Sequence, residues 1–155
     1  EKDKGMEESP FAMKVLDQMR AQASLDCMSR FIEFVTGNAK QLGYSEDRIS
    51  EMERAFTEVL TNTITYAYRE TSGDIQISYT IDRADRMVIK VIDWGASFNM
   101  LLASDPLLKE EYMEQGIPQP STRLIKRFAD TVEYQRLENM NYLIATFSPA
   151  LKGGA

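Results

Sequence analysis

Residues 56–93 read FTEVLTNTITYAYRETSGDIQISYTIDRADRMVIKVID, and the spacing of their apolar side chains changes once, near Gly73. Before it, Phe56, Val59, Leu60, Ile64 and Ala67 step by three and four, the stripe of a helix with one buried side. After it, Ile75, Ile77, Tyr79 and Ile81 alternate with polar residues, the period of a half-buried strand. Asp82 to Arg86 form a polar turn, and Met87 to Ile92 a second strand. So short a link favours an antiparallel hairpin.

Toward the N-terminus the helical stripe continues through Met52 and Ile49, which predicts a helix over 46–68. Ser45 caps it, and Glu46 and Asp47 suit the positive end of its dipole. An earlier helix is predicted over 25–42, with Leu25, Met28, Ile32, Val35, Ala39 and Leu42 facing inward, Ser24 as cap and Gly43 as left-handed stop. Toward the C-terminus, residues 99–119 read as an irregular insert with some helical tendency. A short helix over 122–129 carries Leu124, Ile125 and Phe128, and strands over 132–136 and 142–147 flank a turn at 138–141. The order helix, helix, hairpin, helix, hairpin predicts an α+β fold: a two-layer α/β sandwich whose mainly antiparallel mixed sheet has at least four strands and its helices on one face. Residues 1–10 are charged and aperiodic and read as a disordered lead-in. Residues 11–150 form one domain and residues 151–155 a tail. The chain begins at Glu1, which leaves a larger parent protein open.

Composition narrows the chemistry. The 155 residues are 43% hydrophobic and 27% charged, ordinary for a globular domain. Eighteen basic residues against 24 acidic ones give a net charge of -6, the wrong sign for a nucleic-acid backbone as main partner. No stretch approaches the roughly 20 apolar residues that span a bilayer, and no apolar signal core stands at the N-terminus. The expected location is the cytoplasm. Cys27 is the only cysteine, so an intramolecular disulfide is impossible; it reads as a small core residue. There is no histidine, which excludes Ser-His-Asp and Cys-His nucleophile pairs and histidine metal sites. Acid–base chemistry falls to carboxylates, Lys or Tyr.

Two places stand out. Glu58 and Asn62 lie four apart and project from one side of the second helix, nearly opposite the Ile49–Phe56 stripe. Spacing alone reads them as a polar pair on a solvated face. Asp93 shares strand parity with Ile89 and Val91, which sends its carboxylate toward the layer between sheet and helices, where it needs a hydrogen-bond donor. Gly95 follows and permits a close backbone approach. A strand-end Asp that starts a turn fits Asp93 equally well.

Taken together, these residues resemble a known pattern. Glu58-Val59-Leu60-Thr61-Asn62, continuing to Tyr66-Ala67-Tyr68, is similar to the first box of the anti-sigma-factor serine kinases, an ATP-binding branch of the GHKL superfamily of histidine-kinase-like ATPases. The run from Val91 to Asn99, VIDWGASFN, resembles their second box, an Asp-x-Gly followed by Phe and an acid or amide. Residues 124–134 resemble their last helix and the strand after it, and the likeness runs in order from about Phe11 to Phe147. The resemblance implies a Bergerat-type ATP-binding fold with ATP between sheet and helices. It implies that Asp93 accepts a hydrogen bond from the adenine amino group, that Gly95 lets the backbone pass close to the base, that Asn62 holds a magnesium ion, and that Glu58 is the general base. It implies a small antagonist protein as phosphoryl acceptor, a sigma factor as a second partner, and a possible homodimer.

The lid departs from that pattern. Relatives carry several glycines before the last helix, so that backbone N–H groups wrap the phosphates. The matching stretch here, Pro118-Gln119-Pro120-Ser121-Thr122, has none, and each proline removes a donor. Arg123, Lys126 and Arg127 offer side-chain charge in return, and Arg123 can reach a phosphate; three basic residues on a short helix also read as a solvated face. Two functions follow from the residues: an ATP- and magnesium-dependent serine kinase, or a binding module of the same fold with phosphoryl transfer weakened or lost.

Overall fold

Five strands form one sheet in the order β1-β2-β3-β5-β4, and each pairing among the described residues is antiparallel. The computed structural model describes Ser9 and residues 13–102 and 106–153. The predicted lead-in therefore lies, Ser9 apart, outside the described residues, as do Phe11 at the start of the predicted domain and the last two residues of the tail. In chain order the elements are β1 (Asp17–Gln22), α1 (Met28–Gln41), α2 (Glu46–Asn62), β2 (Asp74–Ile81), β3 (Met87–Asp93), α3 (Pro106–Glu114), α4 (Arg123–Phe128), β4 (Thr131–Leu137) and β5 (Met140–Phe147).

The period change near Gly73 marks the boundary between layers. Ile75, Ile77 and Tyr79 of β2, Met87, Ile89 and Val91 of β3, and Leu143, Ala145 and Phe147 of β5 form one apolar sheet face. Against it pack Phe31, Val35 and Ala39 of α1 and Met52, Phe56, Val59 and Leu60 of α2. Gly43, at φ +88°, ends α1 in a Schellman turn: Tyr44 N–H donates to Ala39 O and Gly43 N–H to Lys40 O, at 3.0 Å each. Ser45 accepts from Arg48 N–H at 3.1 Å and caps α2.

Three expectations need correction. Helix α1 starts at Met28, after a short 3-10 turn at Leu25–Cys27, and Leu25 is 72% exposed; Phe31, absent from the predicted stripe, joins Val35 and Ala39 in the core. Helix α2 stops at Asn62, and Thr63–Ala67 continue as one wider π-type turn in which Tyr68 N–H donates to Thr63 O at 3.2 Å. At its end the Ala67 carbonyl, which has no partner within the helix, accepts Ala96 N–H at 2.9 Å. Finally, the sheet gains β1, whose only inward apolar side chains are Met19 and Ala21, too few for periodicity to reveal. Part of the predicted irregular insert is the helix α3, ended by Gly116 at φ +69°.

The second layer is fastened by a charge cluster that periodicity does not show. Arg48 is fully buried: its Nε donates to Ser148 O at 2.9 Å, and its Nη1 to Glu51 Oε1 at 2.9 Å and Phe128 O at 2.8 Å. Asp130 lies 3.5 Å from Nη2 and also takes Lys152 Nζ and Ser148 N–H. Glu51 accepts Lys152 N–H at 3.0 Å and Gly153 N–H at 2.8 Å, so residues 152–153 fold back onto the start of α2. Arg48→Ala would leave Glu51 without its cation and Asp130 with Lys152 alone, and should cost about 3 kcal/mol or more in a urea melt; a loss below about 1 kcal/mol would show the cluster to be incidental.

Candidate functional site

The site is built where the end of β3 meets the end of α2. Gly95 has no room for a side chain: a Cβ there would lie 2.4 Å from Ala67 O. The glycine's missing side chain is thus accounted for by the helix end itself, and its close approach brings Asp93 beside the turn that follows Asn62.

Asp93 follows its strand parity. It lies on the helix side of β3, 4% exposed, with Ile75 and Asn141 as its register partners. Its Oδ1 accepts Gly95 N–H at 2.9 Å and Asn141 Nδ2 at 2.8 Å. Its Oδ2 accepts no hydrogen bond among the described residues. Burial pushes the carboxyl above its usual range, against the pull of Asn141, the Gly95 N–H and the Arg136 guanidinium.

The pair on α2 does not sit on a solvated face. Glu58, Asn62, Tyr66 and Arg69 form a ridge that the lid segment covers. Glu58 Oε1 accepts Leu124 N–H and Ile125 N–H at 3.0 Å each, satisfying the first turn of α4, and Oε2 accepts the Ser121 hydroxyl at 2.9 Å. Asn62, 5% exposed, donates through Nδ2 to Ser121 O at 2.8 Å and lies 3.8 Å from Met100 Sδ. The Tyr66 hydroxyl donates to Pro118 O, and its ring stacks on Phe98 with centroids 5.2 Å apart. Arg69 donates to Gln115 Oε1 at 2.6 Å. The two α4 N–H groups that could meet a phosphate are already spent on Glu58.

Arg123 is exposed and lines, with Lys126, Ser121 and Gln119, an open cleft of about 420 Å³ over the lid; Lys126 Nζ donates to Leu101 O at 3.1 Å. The structure therefore brings Glu58 and Asn62 together on one strip of lid, sets Asp93 and Gly95 at the adjoining strand end, and leaves Arg123 on the outer side of that lid. Among the described residues no group of three or more acidic or cysteine side chains gathers to hold a metal. Any cation here would arrive with phosphate oxygens, which is how magnesium commonly binds. Sequence reading missed Asn141, Tyr134 and Arg136, which gather around Asp93; Asn141 looked like a turn residue, and only the register of β3 with β5 reveals its partner. No helix among the described residues is long and apolar enough to cross a membrane.

An open antiparallel sheet with helices on one face and an acidic acceptor sunk at the end of its central strand is the architecture of a histidine-kinase-like ATPase. The histidine kinase-like ATPase domain matches residues 21–147, and the chain belongs to that family. It is similar to the serine-protein kinase RsbW of Bacillus mycoides (strain KBAB4), 32% identical over 82 residues, which cover 53% of this chain and 51% of that protein. RsbW of Bacillus cereus (strain Q1) gives the same figures, and RsbW of Bacillus cereus (strain B4264) is 30% identical, also over 82 residues. The chain spans about half the length of the curated relatives it matches.

Two predictions follow from this geometry. Because the Asp93 carboxyl is raised in the folded state, the native protein keeps a proton that the unfolded chain releases, so Asp93's contribution to stability falls as pH rises through its folded pKa. Relative to Asp93→Asn, the wild type should gain unfolding free energy as pH falls through the raised folded pKa toward the ordinary carboxylate range; a difference that stays flat would contradict the burial argument. Tyr66→Phe removes one tether of the lid. Amide exchange across residues 115–125 should quicken about fivefold, the factor for about 1 kcal/mol, while the sheet stays protected; unchanged exchange would mean that the stacked ring alone seats the lid.

Proposed function

We propose that this domain binds ATP between sheet and helices and acts as a regulatory serine kinase, transferring the γ-phosphoryl group to a serine of a small antagonist protein and sequestering a sigma factor in one of its states. The observation that carries the reading is Asp93: a buried carboxylate whose Oδ1 is saturated and whose Oδ2 has no partner among the described residues suits a single amino donor such as that of adenine. Gly95 brings this acceptor to the helix end. Asn62, whose Nδ2 is engaged, would offer Oδ1 to a magnesium ion brought in with the nucleotide. The ion supplies charge neutralisation for the transferring phosphoryl group. Glu58 would take the proton of the acceptor serine as its oxygen attacks phosphorus and ADP leaves; the Ser121 hydroxyl, 2.9 Å from Oε2, now occupies that position and must give way. Arg123 would meet the outer phosphate only after the lid turns over.

The seated lid favours a second reading, in which the fold switches partners without phosphoryl transfer. Pro118 and Pro120 withhold two backbone donors, and Glu58 and Asn62 hold the segment down. Two missing phosphate contacts at roughly 1.5–3 kcal/mol each lower ATP affinity by about a hundredfold or more. Either partner class would be a protein, in keeping with the net charge of -6. A homodimer and a cytoplasmic setting belong to the same proposal.

Calorimetric titration with ATP, with and without magnesium, beside a kinase assay on a cognate antagonist, tests both readings. Weak binding strengthened by magnesium is expected. Asn62→Ala should abolish the magnesium increment, whereas Glu58→Gln, which can still cap α4 through its amide oxygen, should bind ATP normally and transfer more slowly. Binding without transfer in the wild type selects the second reading. No ATP binding at all would refute both nucleotide roles.

A further inference from the structure

Asn141, the second residue of β5, lies directly opposite Asp93, 3% exposed, and every bonding position of its amide is taken. Its Nδ2 donates to Asp93 Oδ1 and to Ala96 O, at 2.8 Å each. Its Oδ1 accepts the Tyr134 hydroxyl at 2.5 Å, Arg136 Nη1 at 3.2 Å and Phe98 N–H at 3.3 Å. Arg136 Nη1 also donates to Gly95 O at 2.9 Å. The amide cannot be turned over, because its NH2 would then face the guanidinium, the hydroxyl and the Phe98 N–H. One side chain therefore fixes the carboxylate and the loop 95–98 that follows it.

An ionised carboxylate has about four acceptor positions, two per oxygen. Asn141 and the Gly95 N–H fill both positions on Asp93 Oδ1, which leaves Oδ2 as the one oxygen for a ligand. A carboxylate with two open oxygens pairs well with two parallel donors, such as N1–H and the 2-amino group of guanine. A carboxylate with one open oxygen suits a lone donor, such as the 6-amino group of adenine, and would leave a second donor buried without a partner. Resting on the nucleotide reading above, we propose that Asn141 is the positioning residue that sets base selectivity: by masking Oδ1 it makes Asp93 a single-acceptor reader that takes adenine and rejects guanine. Arg136 and Tyr134 hold Asn141 in that role.

The test is paired titration of ATP and GTP into the wild type, Asn141→Leu and Asn141→Ser, with thermal unfolding recorded for each. Asn141→Leu withdraws the donor at similar size; Asn141→Ser withdraws it while keeping a polar group in the pocket, and serves if the leucine variant does not fold. The wild type should prefer ATP by about tenfold or more, and both folded variants should lose most of that preference, chiefly through about tenfold tighter GTP binding at the unmasked Oδ1. A merely structural brace would lower the melting temperature and weaken both nucleotides alike, keeping their ratio; that result overturns the proposal. A wild type that binds ATP and GTP equally also overturns it and leaves the nucleotide reading standing. A wild type that binds neither refutes the nucleotide reading and this inference with it.

Discussion

The site depends on one close contact, that of Gly95 with Ala67. The end of the central strand and the end of the long helix approach so nearly that a Cβ on residue 95 would lie 2.4 Å from a carbonyl oxygen, and Ala96 N–H takes that same oxygen at 2.9 Å. The helix ends here in a π-type turn over Thr63–Ala67, and the Ala67 carbonyl, unpaired within the helix, is satisfied from the strand side. Asp93, two residues before the glycine, is thereby set beside the polar ridge of α2. Layer packing alone would leave strand end and helix end several ångströms further apart, because packed sheets and helices are ordinarily separated by side chains.

Around that contact the polar groups are arranged in two separate sets. On the sheet side, Asn141, Arg136, Tyr134 and the 95–98 backbone support one oxygen of Asp93 and leave the other. On the helix side, Glu58, Asn62, Tyr66 and Arg69 engage the lid from Gln115 to Ile125. The second set has a consequence for energetics. Without ligand, its side chains already have protein partners, so a ligand gains only the difference between its own contacts and the lid contacts it displaces. A lid with prolines at 118 and 120 changes shape less readily than one of glycines, because φ is fixed at both.

The Arg48 cluster secures the other end of the sandwich and ties the start of α2, the end of α4, the start of β4 and the C-terminal segment into one unit. A fully buried guanidinium is tolerated because carboxylates and carbonyls surround it. With α4 fixed at its C-terminal end by Phe128 O on Arg48 and at its N-terminal end by Glu58, both ends of this six-residue helix are anchored to α2. The lid leading into it is therefore constrained on its C-terminal side.

The sequence by itself determined the layers. The switch from a period of 3.6 to a period of 2 near Gly73 separates helices from sheet, the parity of Ile89, Val91 and Asp93 sends the carboxylate inward, and Ser45 and Gly43 mark helix ends. These are local properties, set by backbone geometry and by which side of an element is apolar. Tertiary structure decided the rest. Strand β1 exists because β2 offers it an edge, although its own apolar residues are too few to announce it. The Ala67 carbonyl that ends the π-type turn finds its donor, Ala96 N–H, only across the fold. Glu58 and Asn62, read as a polar face from spacing, meet a lid some 60 residues away in sequence. Asn141, read as part of a turn, finds Asp93 only through strand register. Hydrogen-bond partners distant in the chain leave no periodic trace, because polar side chains are selected there by the atom they meet and not by the face they share.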